Sequence, residues 1–348
     1  MPTMSVRSLG SLCLLVSLFT LLVSSARADL VWHPDTGWRI EGGVLAGVSG
    51  KEGRSALDLM NRARELEERG SRGSAIKRYN KVAKKYPSSV YASEALYRSG
   101  LLYLARRQYF KSFESFFQVT TRYPNTKHFN DIIGEEYRIA SALLDGARNR
   151  YWGIIPGFQN RSRAIEYFER IVATAPYSDY APLALMNSAR GHLREHEIDE
   201  AIDALDRMIN SYPQSLLAPD AYLKLAQTHA LLVEGPAYDQ GSTKEAITYF
   251  EDFLILFPND ANIPSAAKGL DSMKVVLAES KITIGDFYFK KRGNYTAARV
   301  FYNEAITSYP DSPVAAKARA KLAEVEAKSA GKPAPGQPQK KKKRFFFF

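Results

Sequence analysis

The sequence predicts an all-α solenoid of about six helical hairpins closed by a C-terminal capping helix, and three recurring features carry that prediction. The first is a skeleton with a small anchor residue, a bulky residue four on, an apolar or small residue seven on and a proline twelve on. It is most regular at Ala201/Leu205/Met208/Pro213 and returns at Ala75/Tyr79/Val82/Pro87, Ser112/Phe116/Val119/Pro124, Ala164/Phe168/Ile171/Pro176, Ala246/Phe250/Phe253/Pro258 and Ala298/Tyr302/Ala305/Pro310. Offsets of four and seven share one helical face, and a small anchor lets a second helix approach closely. Proline then ends the helix, because it lacks an amide proton and turns its predecessor away from helical geometry. The second feature is a glycine five residues before three of the anchors, Gly70, Gly241 and Gly293, where a tight turn between helices tolerates positive φ. The third is a small residue twelve before an anchor, at Ala63, Gly100 and Ala189, suited to the facing helix of a close crossing.

This combination resembles the tetratricopeptide repeat, a helix-turn-helix of about 34 residues that stacks into a superhelix. Successive anchors are 37, 52, 37, 45 and 52 residues apart, so the excess must lie in longer helices or loops. The 348 residues fit one α domain that grows by adding repeats, and 45 % apolar with 12 % aromatic residues is ample for a folded chain.

Residues 1–28 read as an export signal: Arg7, an apolar run from Leu12 to Val23, and the small-x-small site Ala26-Arg27-Ala28, with cleavage expected after Ala28. The run of twelve is short of the roughly 20 residues a membrane-spanning helix needs. Residues 29–54 read as an extended lead-in without helical periodicity, whose Trp32 and Trp38 either anchor a partner or membrane interface or pack back on the first repeat. The repeats occupy residues 55–329. Within them, Gly146 to Arg161 is an insertion carrying Tyr151, Trp152 and Phe158, an aromatic loop suited to partner contact or to capping a repeat interface. A smaller insertion spans Glu234 to Ser242, a long helix is expected from Ser265 to about Lys291, and the last helix follows Pro310-Asp311-Ser312-Pro313. Residues 330–348 read as a disordered tail, proline-rich, then basic, then tetraphenylalanine, that cannot bury itself and either has no fixed role or contacts an anionic membrane through Lys340 to Arg344.

Charge and cysteine content narrow the function. Of the net +11, the first 28 residues carry +2 and residues 332–348 carry +6, leaving only +3 on the repeat body. Nucleic acid is therefore not an expected partner. The single cysteine, Cys13, lies in the signal, so a disulfide framework or thiolate zinc site is not expected in the mature chain. His192-Leu193-Arg194-Glu195-His196 fits a zinc-peptidase pattern. The repeat register argues otherwise, placing His192 between paired helices and His196 at a turn. No phosphate-cradling loop, dinucleotide glycine pattern or nucleophile elbow occurs, and neither a cofactor nor an enzymatic role is expected. Binding remains, and the register places Arg64, Glu67, Tyr97, Leu101, Met186 and Arg190 towards the groove lined by first helices, each being alternatively a contact between repeats.

The export signal, the Tyr-Pro helix ends at Tyr86-Pro87, Tyr123-Pro124, Tyr212-Pro213 and Tyr309-Pro310, APYSDYAPLA (Ala175–Ala184) and the Leu277–Pro313 stretch carry a further likeness. Together they resemble the outer-membrane assembly lipoprotein family called BamD or ComL. The resemblance implies a periplasmic scaffold, associated with the outer membrane, that docks on periplasmic domains of the β-barrel insertase and helps deliver unfolded barrel proteins. Members of the family are usually tethered through a lipidated cysteine after the signal. Here Asp29 stands at that place, and Gly10-Ser11-Leu12 before Cys13 is not a lipidation box. A periplasmic adaptor for cell-wall synthesis or division is the alternative reading.

Overall fold

The computed structural model describes residues 29–41 and 51–330. The export signal, the Gly42 to Gly50 run and the tail from Gly331 onward lie outside the described residues. Helices form where the skeleton predicts them. α1 (Lys51–Glu68) and α2 (Arg72–Lys85) make the first hairpin, and α3 (Tyr91–Ala105) and α4 (Tyr109–Arg122) the second. α5 (Phe129–Leu144) and α6 (Arg161–Thr174) follow, then α7 (Tyr180–Arg194) with α8 (Ile198–Ser211), and α9 (Ala218–Leu231) with α10 (Gly241–Leu256). α11 (Ile263–Asp286) pairs with α12 (Tyr295–Ser308), and α13 (Pro313–Ala330) closes the series. The fold is an all-α tetratricopeptide-repeat solenoid with a capping helix. The described residues separate into two compact units that divide between Tyr167 and Phe168.

All six copies of the skeleton are buried: every anchor and its partners four and seven residues on are at most 3 % exposed. Each second helix ends two residues before its proline, and in the first five the residue between closes the last turn, as Tyr86 N–H does on the Val82 carbonyl and Tyr212 N–H on that of Met208. The close crossing is literal at Gly100, where an added Cβ would lie 2.4 Å from the Phe116 ring. The Tyr-Pro ends also join neighbouring repeats. Tyr123 Oη donates to the Pro87 carbonyl at 2.6 Å, and Tyr212 Oη to that of Pro176 at 2.6 Å.

The turn five residues before the anchor takes left-handed geometry at Gly70 (φ 74°) and Gly293 (φ 61°), and equally at Arg107 (φ 53°) and His196 (φ 63°). Gly241 differs from expectation, being the first residue of α10 and outside the positive-φ set, because the Glu234 to Ser242 insertion replaces the tight turn. The long helix also differs. α11 passes into a π-helical turn, Phe287–Arg292, which accommodates one extra residue. Its small crossing residue, Gly285, accordingly stands thirteen before Ala298 instead of twelve, yet still faces the aromatic four past the anchor: an added Cβ would sit 2.6 Å from the Tyr302 ring.

Two short hairpins interrupt the helical pattern. β1 (Asp29–His33) and β2 (Gly37–Glu41) pair antiparallel with Trp32 opposite Trp38, so part of the stretch expected to be an extended lead-in is regular structure. The first helix also begins at Lys51, ahead of the expected Ser55. β3 (Arg150–Tyr151) and β4 (Ile155–Pro156) pair within the Gly146 to Arg161 insertion. No helix among the described residues is long and apolar enough to cross a membrane.

Candidate partner-binding surfaces

In the first unit the face of the first helices carries a row of linked charges. Arg64 on α1 pairs with Glu67 at 3.3 Å and Glu68 at 2.9 Å, and Glu67 accepts from the Tyr79 hydroxyl at 2.7 Å. Burial and that carboxylate push the Tyr79 hydroxyl well above its ordinary pKa. Arg98 on α3 bridges Glu67 at 3.7 Å and Glu94 at 2.8 Å, and His128 Nε2 lies 2.9 Å from Glu94. Burial alone would raise the pKa of Glu94, but His128 and Arg98 outweigh it and hold the carboxyl below its usual value. Tyr97 stacks on His128 with ring centroids 4.0 Å apart.

The β1–β2 hairpin lies over this row. Trp38 is 3 % exposed, with its backbone N–H donated to Asn61 Oδ1 at 3.0 Å and the Arg98 guanidinium 5.3 Å from its ring. Arg64 sits 5.3 Å from the Trp32 ring, and Lys127 Nζ donates to the Leu30 carbonyl at 3.0 Å. The packing alternative for Trp32 and Trp38 is therefore the one realised. Of the residues expected along the groove, Arg64, Glu67 and Tyr97 are engaged inside the chain, and Leu101 is half-buried. Sequence reasoning missed Glu94, Arg98 and His128. The i, i+4 spacing of Glu94 and Arg98 was a usable signal, whereas the arrival of His128 from α5's entry depends on how the repeats stack.

The insertion forms a rooted projection. Trp152 (φ 53°) and Gly153 (φ 81°) both lie in the left-handed region, the geometry of a type I′ hairpin turn, and Ile154 N–H donates to the Tyr151 carbonyl at 3.1 Å. Arg106 donates to the Trp152 carbonyl, Arg150 N–H to the Arg107 carbonyl at 2.8 Å, and Phe110 N–H to Asn149 Oδ1 at 3.2 Å. These bonds fasten the hairpin to the α3–α4 turn. Its aromatic side chains are largely open to solvent: Tyr151 is 51 %, Trp152 71 % and Phe158 93 % exposed.

In the second unit, Glu169 on α6 accepts from Ser188 at 2.9 Å and from Arg207 at 2.8 Å, tying α6 to α7 and α8. Met186 packs half-buried against the cluster of Leu185, Leu205 and Met208, and Arg190 is exposed on α7. An apolar depression of about 970 Å³ lies at the Tyr-Pro turns, with Tyr177 and Leu216 fully open on its rim. The histidine pair of the peptidase-like motif is split by the fold. α7 ends at Arg194, His196 stands in the left-handed turn beyond it, and His192 Nδ1 lies 2.8 Å from Glu197. The two imidazoles do not share a helical face.

Small-residue crossings, left-handed turns and proline-stopped second helices at fixed spacing define a tetratricopeptide-repeat protein, and residues 94–126 match that repeat's family model. Residues 158–337, just over half of the chain, match the YfiO family of outer membrane lipoproteins. The chain belongs to that family. It is similar to outer membrane protein assembly factor BamD of Rickettsia prowazekii, 28 % identical over 183 residues, covering 53 % of this chain and 69 % of the relative. The same factor from Xylella fastidiosa strain Temecula1 is 23 % identical over 167 residues, covering 45 % of this chain and 57 % of the relative. Among solved structures, YrrB, described as a tetratricopeptide-repeat protein with an unusual peptide-binding site, aligns over 61 % of this chain and 92 % of its own at 17 % identity and a TM-score of 0.31. A likeness at that level transfers no binding property.

Proposed function

We propose that this chain is a non-enzymatic scaffold of the outer-membrane β-barrel assembly machinery, exported to the periplasm and held at the outer membrane, where it binds periplasmic domains of the insertase and unfolded barrel segments. The observation that carries the reading is the family match over residues 158–337, together with relatives named as outer membrane protein assembly factors. The fold suits the task. Within each unit, stacked hairpins present side chains from successive helices on a shared face, and such a face accommodates an extended or helical partner without a deep pocket. In the first unit much of this face is occupied by the chain's own β1–β2 hairpin, so docking falls to other surfaces. Exposed Arg190 and half-buried Met186 on α7 supply a charged and an adaptable apolar contact for a folded partner. The rim of Tyr177 and Leu216 suits the alternating apolar side chains of an unfolded barrel strand.

Depletion of the protein in its own cell tests this reading. Folded β-barrel protein in the outer membrane should fall, and re-expression of the chain should restore it. Unchanged barrel levels together with a division or cell-wall defect would overturn the proposal and favour the cell-wall adaptor.

A further inference from the structure

The β3–β4 hairpin and the ground around it carry a pattern that the scaffold role does not use. Within eight residues it exposes Tyr151, Trp152, Ile154 (75 %), Ile155 (52 %) and Phe158. Burying that much apolar surface is the natural end of such a projection, since single exposed hydrophobes are ordinary but a contiguous group is not. Residues 146–163 contain four arginines and no acidic residue. Arg148 and Arg150, with Arg107 in the turn beneath, form no ion pair among the described residues. Trp152 is also kept in a left-handed conformation that a bulky residue adopts only under constraint.

We propose that this hairpin is a membrane-docking wedge whose occupant is an anionic phospholipid surface. Tyr151 and Trp152 have an apolar body and a polar edge, the residue type favoured where headgroups meet acyl chains. Ile154, Ile155 and Phe158 supply the purely apolar part that enters beyond them, and the unpaired guanidiniums meet phosphate oxygens around the rim. Several of the backbone polar groups carried into the boundary already have partners. Arg106 takes the Trp152 carbonyl, Ile154 N–H bonds to Tyr151, and Gly157 N–H to the Asn149 carbonyl at 2.7 Å. A protein partner is the weaker occupant. Its surface would need its own acidic patch around an apolar pocket, whereas an anionic bilayer offers both features everywhere. The inference does not depend on the assembly role, because binding to lipid requires no insertase.

The test is co-sedimentation of the protein, as isolated after export, with vesicles of phosphatidylcholine with and without phosphatidylglycerol. Wild type should bind the phosphatidylglycerol vesicles and lose them at high salt. The variant Trp152→Ser/Ile154→Ser/Phe158→Ser should bind at least about tenfold more weakly, with an unchanged circular dichroism melt, since all three side chains are exposed and none packs in a core. Any residual binding by the tail is common to both proteins. A second readout is the tryptophan fluorescence difference between wild type and Trp152→Phe, which should shift to the blue when vesicles are added. Equal vesicle binding by wild type and the triple variant, or no binding by wild type, would overturn the proposal. So would a variant that keeps its lipid affinity but loses capture of a protein, because the hairpin would then be a protein contact.

Discussion

His196 shows most plainly how a repeat register constrains a single residue. It fills a turn position that takes φ 63°, where an L-residue pays about 1–2 kcal/mol relative to glycine, and its side chain is exposed. His196→Gly should therefore stabilise the protein by a net of about 0.5–1.5 kcal/mol, after about half a kcal/mol of extra unfolded-chain entropy. A urea melt reads this directly, and a destabilised variant would mean the turn relies on the imidazole. Asp286, at the end of α11, gives a prediction of the opposite kind. Burial would raise its pKa, but Lys321 at 2.6 Å, the Tyr302 hydroxyl at 2.6 Å and Lys290 at 3.0 Å overcome that and hold it at about 2, below the ordinary 3.8. A carboxyl depressed on folding stabilises the protein above its unfolded pKa, and that stability is lost as pH falls through the window from about 3.8 to about 2. Asp286→Asn should cost about 1 kcal/mol at neutral pH once solvent screening of this partly exposed group is allowed for. Below pH 2 the two melts should coincide, and a pH-independent gap would assign the effect to packing.

Between elements, the decisive feature is how near the paired helices come. Gly100→Ala would gain up to about 1 kcal/mol of helix propensity. It would also drive a Cβ to 2.4 Å from the fully buried Phe116 ring, and overpacking of that kind costs about 1–3 kcal/mol. A net loss of stability is expected in thermal melts, and a gain would place Phe116 elsewhere. The β1–β2 hairpin has its own probe. Trp38→Ala should cost about 3 kcal/mol or more, because a nearly fully buried indole leaves a cavity under Arg98. A neutral outcome by the same melt would mean the hairpin does not rest on α1 and α3. These two elements differ in how far sequence reveals them. The Gly100–Phe116 crossing was legible because both residues sit at fixed offsets from one anchor. The β1–β2 hairpin was not read, although Pro34-Asp35-Thr36-Gly37 between Leu30-Val31-Trp32 and Trp38-Arg39-Ile40 is a turn flanked by strand-forming residues. Its short strands had no helical period to stand out against.

At the scale of the molecule, the repeats were legible because each is specified by contacts local in sequence, and the six buried skeletons follow from that. Surfaces were less so. Register alone placed Arg64, Glu67 and Tyr97 on a common face, but their engagement with Glu68, Tyr79 and His128 depends on how repeats stack and on where residues 29–41 fold back. The π-helical turn was likewise invisible, since an extra residue in Phe287–Arg292 leaves the composition of a helix unchanged. What the assembled surfaces bind is the central claim, and affinity capture of the protein from mildly solubilised envelopes, followed by mass spectrometry, tests it most directly. The scaffold account predicts co-purification of the outer-membrane β-barrel insertase in near-stoichiometric amount. Recovery of cell-wall synthesis or division proteins without the insertase would contradict it.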